Sequence, residues 1–161
     1  MERLHELSSC IHAQPAGMPV KIERLAKAIE ASWDHRTAYR GITQPGNPAF
    51  GQCYPTSRVV QFFYPEAEIA CGDVWTGGGI ECHFWNVRGS GNDAEWIDLS
   101  WRQFPRGSVV RRFERLDRRH LGDSPPTVER CALLLRRVLS HLAFQNPEKH
   151  IGDEVKCRRM R

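Results

Sequence analysis

Apolar positions along the chain recur first at helical spacing, then in short alternating runs, then at helical spacing again. Over Val20 to Trp33, Ile22, Leu25, Ala26, Ile29 and Trp33 fall on one side and Lys21, Glu23, Lys27 and Glu30 outside it, which predicts an amphipathic helix. A shorter helix over residues 2–12, with Leu4, Leu7 and Ile11 on one side, is broken by Gln14-Pro15-Ala16-Gly17-Met18-Pro19. Gly41, Pro45, Gly46 and Pro48 mark an ordered loop from Asp34 to Phe50. Tyr54 to Tyr64 predicts a second helix. Its first turn accepts Pro55 because no N–H is needed there, and Tyr64-Pro65 ends it. Val59, Val60, Phe62 and Phe63 make it apolar on much of its circumference, as a buried central helix requires.

Glu68 to Trp75 reads as a strand, and Thr76-Gly77-Gly78-Gly79 as a turn into a second strand around His83. The triple glycine lacks the G-K-[ST] and following helix of a phosphate cradle. Gly89-Ser90-Gly91-Asn92-Asp93 is a turn into a third strand, Glu95 to Leu99. Ser100 to Phe104 leaves the sheet, and Val109 to Leu116 is short and ambiguous. Ser124-Pro125-Pro126-Thr127 opens the last helix, Val128 to Phe144, with Val128, Cys131, Leu134, Leu135, Val138, Leu139 and Leu142 as its stripe. Helices, then strands, then a helix predict an α+β domain with an antiparallel sheet over residues 1–144, and a polar, basic tail over 145–161.

At 161 residues, 40% apolar and 26% charged, the chain has room for one packed core. No apolar run approaches the roughly 20 residues needed to cross a bilayer. The segment Met1 to Leu7 lacks the apolar core of a signal peptide. The six cysteines, at 10, 53, 71, 82, 131 and 157, include no C-x-x-C pair, so free thiols in a reducing cytoplasm are expected. The net charge of +4 is concentrated in an arginine-rich stretch over 102–119. Without a recognisable nucleic-acid module beside it, a solvated or ion-paired face is favoured over a nucleic-acid surface.

Cys53 follows Gly51-Gln52 and directly precedes a predicted helix. There the helix dipole and unpaired N–H donors favour thiolate. If Ser90 and Gly91 centre the next turn, antiparallel pairing sets His83 opposite Asp98 and Trp85 opposite Trp96. A carboxylate so placed orients a histidine. Bringing Cys53 to that histidine assembles nucleophile, base and orienter. Asn86 is a reserve orienter whose offset from His83 points it to the other face. Each residue also has an ordinary reading: a buried free cysteine, a satisfied histidine, a capping aspartate. Spacing alone leaves both open. Trp85 and Trp96 wall a cleft on one reading and form a plain cross-strand core pair on the other. The Cys53 backbone N–H and Gln52 are candidate oxyanion donors. Cys71, Cys82 and His83 suggest a metal, but adjacent Cys82 and His83 point to opposite faces of a strand, so no metal or cofactor is expected.

Gly51-Gln52-Cys53, His83-Phe84-Trp85 and Trp96-Ile97-Asp98 resemble, in that order, the motifs of the transglutaminase-like superfamily. More closely, the chain resembles the YunG-like family of bacterial proteins. The matching pieces are Ala31-Ser32-Trp33-Asp34 with Thr37-Ala38, Asn47-Pro48 with Gly51-Gln52-Cys53, and Val59-Val60-Gln61. They continue with His83-Phe84-Trp85-Asn86, Ile97-Asp98-Leu99-Ser100 with Gln103-Phe104, and Glu129 to Leu134. Departures are Phe84 in place of tyrosine and a longer, more glycine-rich segment from Cys71 to Cys82. The resemblance implies a papain-like (transglutaminase-like) core, its cysteine helix packed on an antiparallel sheet that carries the histidine and aspartate. It implies amide hydrolysis, deamidation or acyl transfer through a thioester, with Cys53, His83 and Asp98 as the triad. Asn47, six residues before the cysteine, stands where papain-like enzymes place an oxyanion glutamine. The expected partner is a peptide, a protein or a small amide; nucleic acid and membrane are not expected, and oligomeric state is left open. The competing expectation is a non-catalytic binding or immunity-like module on the same scaffold.

Overall fold

Stripes from two long helices close on a central one, and the central helix in turn covers a sheet. The computed structural model describes residues 20–117 and 123–144. The short helix expected over 2–12, the tail over 145–161, Cys10 and Cys157 lie outside the described residues.

Helix α1 (Ile22–Glu30) buries Leu25, Ala28 and Ile29. Helix α2 is Cys53–Phe63, and helix α3 is Pro125–Phe144. Leu134, Leu135, Val138 and Leu142 of α3 meet Leu25 and Ile29 of α1 and Val59 and Val60 of α2 in one cluster. Each such side chain contributes about 1.5–3 kcal/mol through the apolar surface it removes from water. Polar ties hold the junction: Arg137 donates to the Ser32 carbonyl and to Asp34 Oδ2, both at 2.9 Å. The hydrogen bond from Arg137 is the main reason the Asp34 carboxyl is held below its usual range. Trp33 Nε1 donates to Thr56 Oγ1 at 3.1 Å, which fixes α2 against the end of α1.

The sheet contains β1 (Glu68–Trp75), β2 (Ile80–Arg88), β3 (Glu95–Ile97) and β4 (Val109–Arg115), in the order β3-β2-β1-β4, all antiparallel. The fold is therefore α+β. The ambiguous segment after Val109 is an edge strand on β1, with a bulge between Asp73 and Val74. Most of its side chains are exposed, so no alternation announces it. Three of the arginines from the basic stretch sit in ion pairs: Arg102 with Glu30, Arg112 with Asp73 and Arg115 with Glu68. No helix among the described residues is long and apolar enough to cross a membrane.

The expected register between β2 and β3 is corrected. Val87 faces Trp96 and Asn86 faces Ile97, so Trp96 is not opposite Trp85 and Asp98 is not opposite His83. The connection is longer than a two-residue turn because Gly91–Asp93 form a turn of 3₁₀-helix. The offset is two residues, and a shift of two leaves every side chain on its original face. Asp98, just past β3, remains a diagonal neighbour of His83.

Gly72 of β1 lies directly opposite His83 and Phe113. A Cβ here would come within 2.5 Å of the Arg112 carbonyl and 2.7 Å of the Trp85 ring, so only glycine lets these strands and rings close. On the other face, Asn86 donates to the Ser57 carbonyl of α2 at 3.0 Å. It serves to join sheet and helix.

Candidate active site

Gly51 has φ of 73°, a left-handed conformation that favours glycine, and its carbonyl accepts the Tyr39 N–H at 2.8 Å. A side chain there would meet the Tyr39 nitrogen at 3.3 Å. This turn makes Cys53 the first residue of α2. Among the described residues, no acceptor takes the backbone N–H of Cys53 or Tyr54, and Pro55 has none to offer. The positive end of the helix dipole is thus open beside a half-buried thiol.

His83 reaches this point from β2. Strand β3 pairs only with Asn86–Arg88, so beyond it the chain from Asp98 to Phe104 folds over the imidazole. The side chain is 0% exposed, stacked on Trp85 at 5.6 Å between ring centroids and met edge-on by Trp101 and Phe104. Asp98 Oδ2 lies 2.7 Å from Nε2, so Nε2–H donates to the carboxylate. The other carboxylate oxygen accepts the Ser100 N–H at 3.0 Å and its hydroxyl at 3.3 Å, which fixes its aim. Burial pulls the imidazole pKa down, but hydrogen bonds to Asp98 and to the Cys53 thiol, with the charges of both, outweigh it and raise it to about 9. The ring is therefore an imidazolium at neutral pH, held by the Asp98 carboxylate.

Gln103 Nε2 lies 2.9 Å from His83 Nδ1. An amide nitrogen suits a neutral ring. Against an imidazolium Nδ1–H, the amide must present its oxygen or give way to sulfur. Gln103 is held in turn by Asn47, which donates to its carbonyl at 2.8 Å and to Gln44 Oε1 at 2.9 Å. Both N–H bonds of Asn47 are thus engaged away from the thiol. Gln52 is buried, with Nε2 donating to the Asp34 carbonyl at 2.9 Å, and its Oε1 has no partner among the described residues. Both amides shape the loop around Cys53. Trp85 touches the imidazole, whereas half-exposed Trp96 stands one ring further out, against Trp85 and Phe113.

A cleft of about 650 Å³ is lined by Gln103 and Phe104 with Asn47, Phe50, Glu81 and Arg102, and neither Cys53 nor His83 is part of its lining. No group of three metal-ligating side chains occurs among the described residues. Reading the sequence for chemistry overlooked Gln103, Ser100, Trp101 and Phe104. The pieces Ile97 to Ser100 and Gln103-Phe104 carry the family resemblance, and that was the available signal for three of them.

The family model described as YunG protein matches residues 21–143. No curated protein and no solved structure matches the chain.

Proposed function

The chain belongs to the YunG protein family, and we propose that it is a thiol-dependent amide hydrolase or acyltransferase with Cys53 as nucleophile, His83 as acid and base, and Asp98 as orienter. The observation that carries this reading is the buried imidazole held by Asp98 at 2.7 Å on one nitrogen, with Cys53 at the start of α2 among the groups that raise its pKa. The cysteine helix lying against an antiparallel sheet supports a papain-like, transglutaminase-like scaffold.

The Cys53 thiolate attacks the carbonyl carbon of an amide, and the N–H groups of Cys53 and Tyr54 at the start of α2 are the donors for the developing oxyanion. Nδ1–H, the ring proton that Asp98 does not hold, passes to the leaving nitrogen as the C–N bond breaks. A thioester remains on Cys53. Water, deprotonated by the now neutral His83, releases a carboxylic acid; an amine in its place gives transfer. Asp98 keeps the ring oriented and stabilises the imidazolium.

A second reading, a non-catalytic binding module on the same scaffold, draws on the Gln103 amide at Nδ1, which occupies the nitrogen that catalysis needs. Intact-mass analysis after exposure to a panel of activated esters and amides separates the two. Catalysis predicts an acyl adduct on Cys53 that water or an added amine discharges, and that is absent in Cys53→Ala and slow in His83→Ala. A folded wild type that takes no adduct, or an adduct indifferent to His83→Ala, favours the binding module.

A further inference from the structure

Two thiols outside this triad lie together on the hairpin that carries His83. Cys71 faces Phe84 and Cys82 faces Asp73, so the two cysteines are diagonal neighbours on one face of the β1–β2 pair. Their sulfurs are 3.5 Å apart. Cys82 is exposed and Cys71 half-buried. Burial first, then the hydrogen bond to Cys82, pushes the Cys71 thiol up to about 12, so Cys71 keeps its proton. The exposed sulfur of Cys82 is the one a reagent reaches first, and the half-buried sulfur of Cys71 lies within reach to resolve. The proposed amide chemistry uses neither.

We infer that Cys71 and Cys82 form a reversible dithiol–disulfide pair whose reactant is a low-molecular-weight disulfide of the glutathione type. The Cys82 thiolate attacks one sulfur of the small disulfide, forms a mixed disulfide and expels one small thiolate. That thiolate takes the proton from Cys71. The Cys71 sulfur then attacks the Cys82 sulfur, closes the intrachain bond and expels the second small thiolate, which is protonated from solvent. Counting the proton that Cys82 gives to solvent on becoming a thiolate, two electrons and two protons leave the protein, and the small disulfide becomes two thiols. Diagonal neighbours sit near the upper limit of disulfide reach, so the closed bond pulls on the strands and excess small thiol reopens it. Burial protects Cys131 from the reaction. Cys53, a half-buried thiol at the start of α2, is the competitor.

The test equilibrates the full chain with oxidised glutathione, quenches with acid, blocks free thiols with N-ethylmaleimide and maps peptides by mass spectrometry. The wild type is expected to yield a Cys71–Cys82 cross-link lighter by two hydrogens, with no retained adduct on either residue, and to lose it in excess reduced glutathione. Cys71→Ser, checked for a wild-type far-UV circular dichroism spectrum, should instead retain glutathione on Cys82. Cys53→Ser should leave the cross-link in place. A wild type that retains an adduct on Cys82, a cross-link that contains Cys53, or both thiols remaining free would overturn the inference.

Discussion

Cys53 and Cys131 are both helical cysteines, yet their surroundings have opposite consequences. Cys53 opens α2, half-buried, beneath free backbone N–H groups and beside an imidazole whose pKa is raised to about 9. Cys131 lies in the second turn of α3, 7% exposed, where burial and then the charge of Asp123 push its thiol up to about 12. Arg58 and Arg130 oppose that shift without overcoming it. Helix propensity is common to both positions. What differs is burial and position along the helix, and on the proposed mechanism these decide which thiol is available as a nucleophile.

The widest separation between them is expected on removal of the thiols. Cys53→Ala should lower acyl-adduct formation and turnover by about 10³-fold or more, whereas Cys131→Ala should leave both near wild type and cost only packing stability. Activated-ester kinetics with mass mapping check this, and comparable losses in the two variants would dissolve the contrast. Asp98→Asn should follow, with turnover lower by about 10²–10⁴-fold. Its diagnostic signature is a fall of the His83 pKa from about 9, read from the pH profile of Cys53 alkylation, with Cys131 labelling unmoved.

Gly72→Ala tests the platform on which the imidazole sits. The new Cβ meets backbone and ring atoms that cannot swing away, so a stability loss of about 2–3 kcal/mol is expected in urea unfolding. The smallest effect is on pH dependence. Because the His83 pKa is raised above its ordinary value of 6.5, its stabilising contribution is full below that pH and is lost as pH rises through about 9. Unfolding free energies should therefore fall between pH 6.5 and 9 in the wild type and fall less in Asp98→Asn.

Some of this was legible residue by residue. The stripes of α1 and α3 repeat at helical spacing because each buries one face, and β1 spans the residues its sequence marks, Glu68–Trp75. Gly51 before Cys53, with Pro55 in the following turn, describes a sharp turn into a helix from local backbone chemistry alone. The residue types able to carry thiol chemistry could likewise be named without coordinates.

Tertiary structure decided the rest, because it depends on contacts between distant parts of the chain. The β2–β3 register followed a 3₁₀ turn whose length the glycines did not reveal. β4 is a strand because β1 offers it an edge, although its own exposed, charge-rich pattern lacks alternation. Asn47 and Gln103 were two separate loop residues in the sequence, and only the fold turns one N–H of Asn47 to the carbonyl of Gln103, which lies beside His83, and the other to Gln44. The protonation of that imidazole is also a property of the assembled pocket, where a carboxylate and a thiol outweigh the cost of burial. Sequence pattern specifies which faces must be buried and where the chain turns; which polar groups then meet is set by packing, over separations that local pattern does not encode.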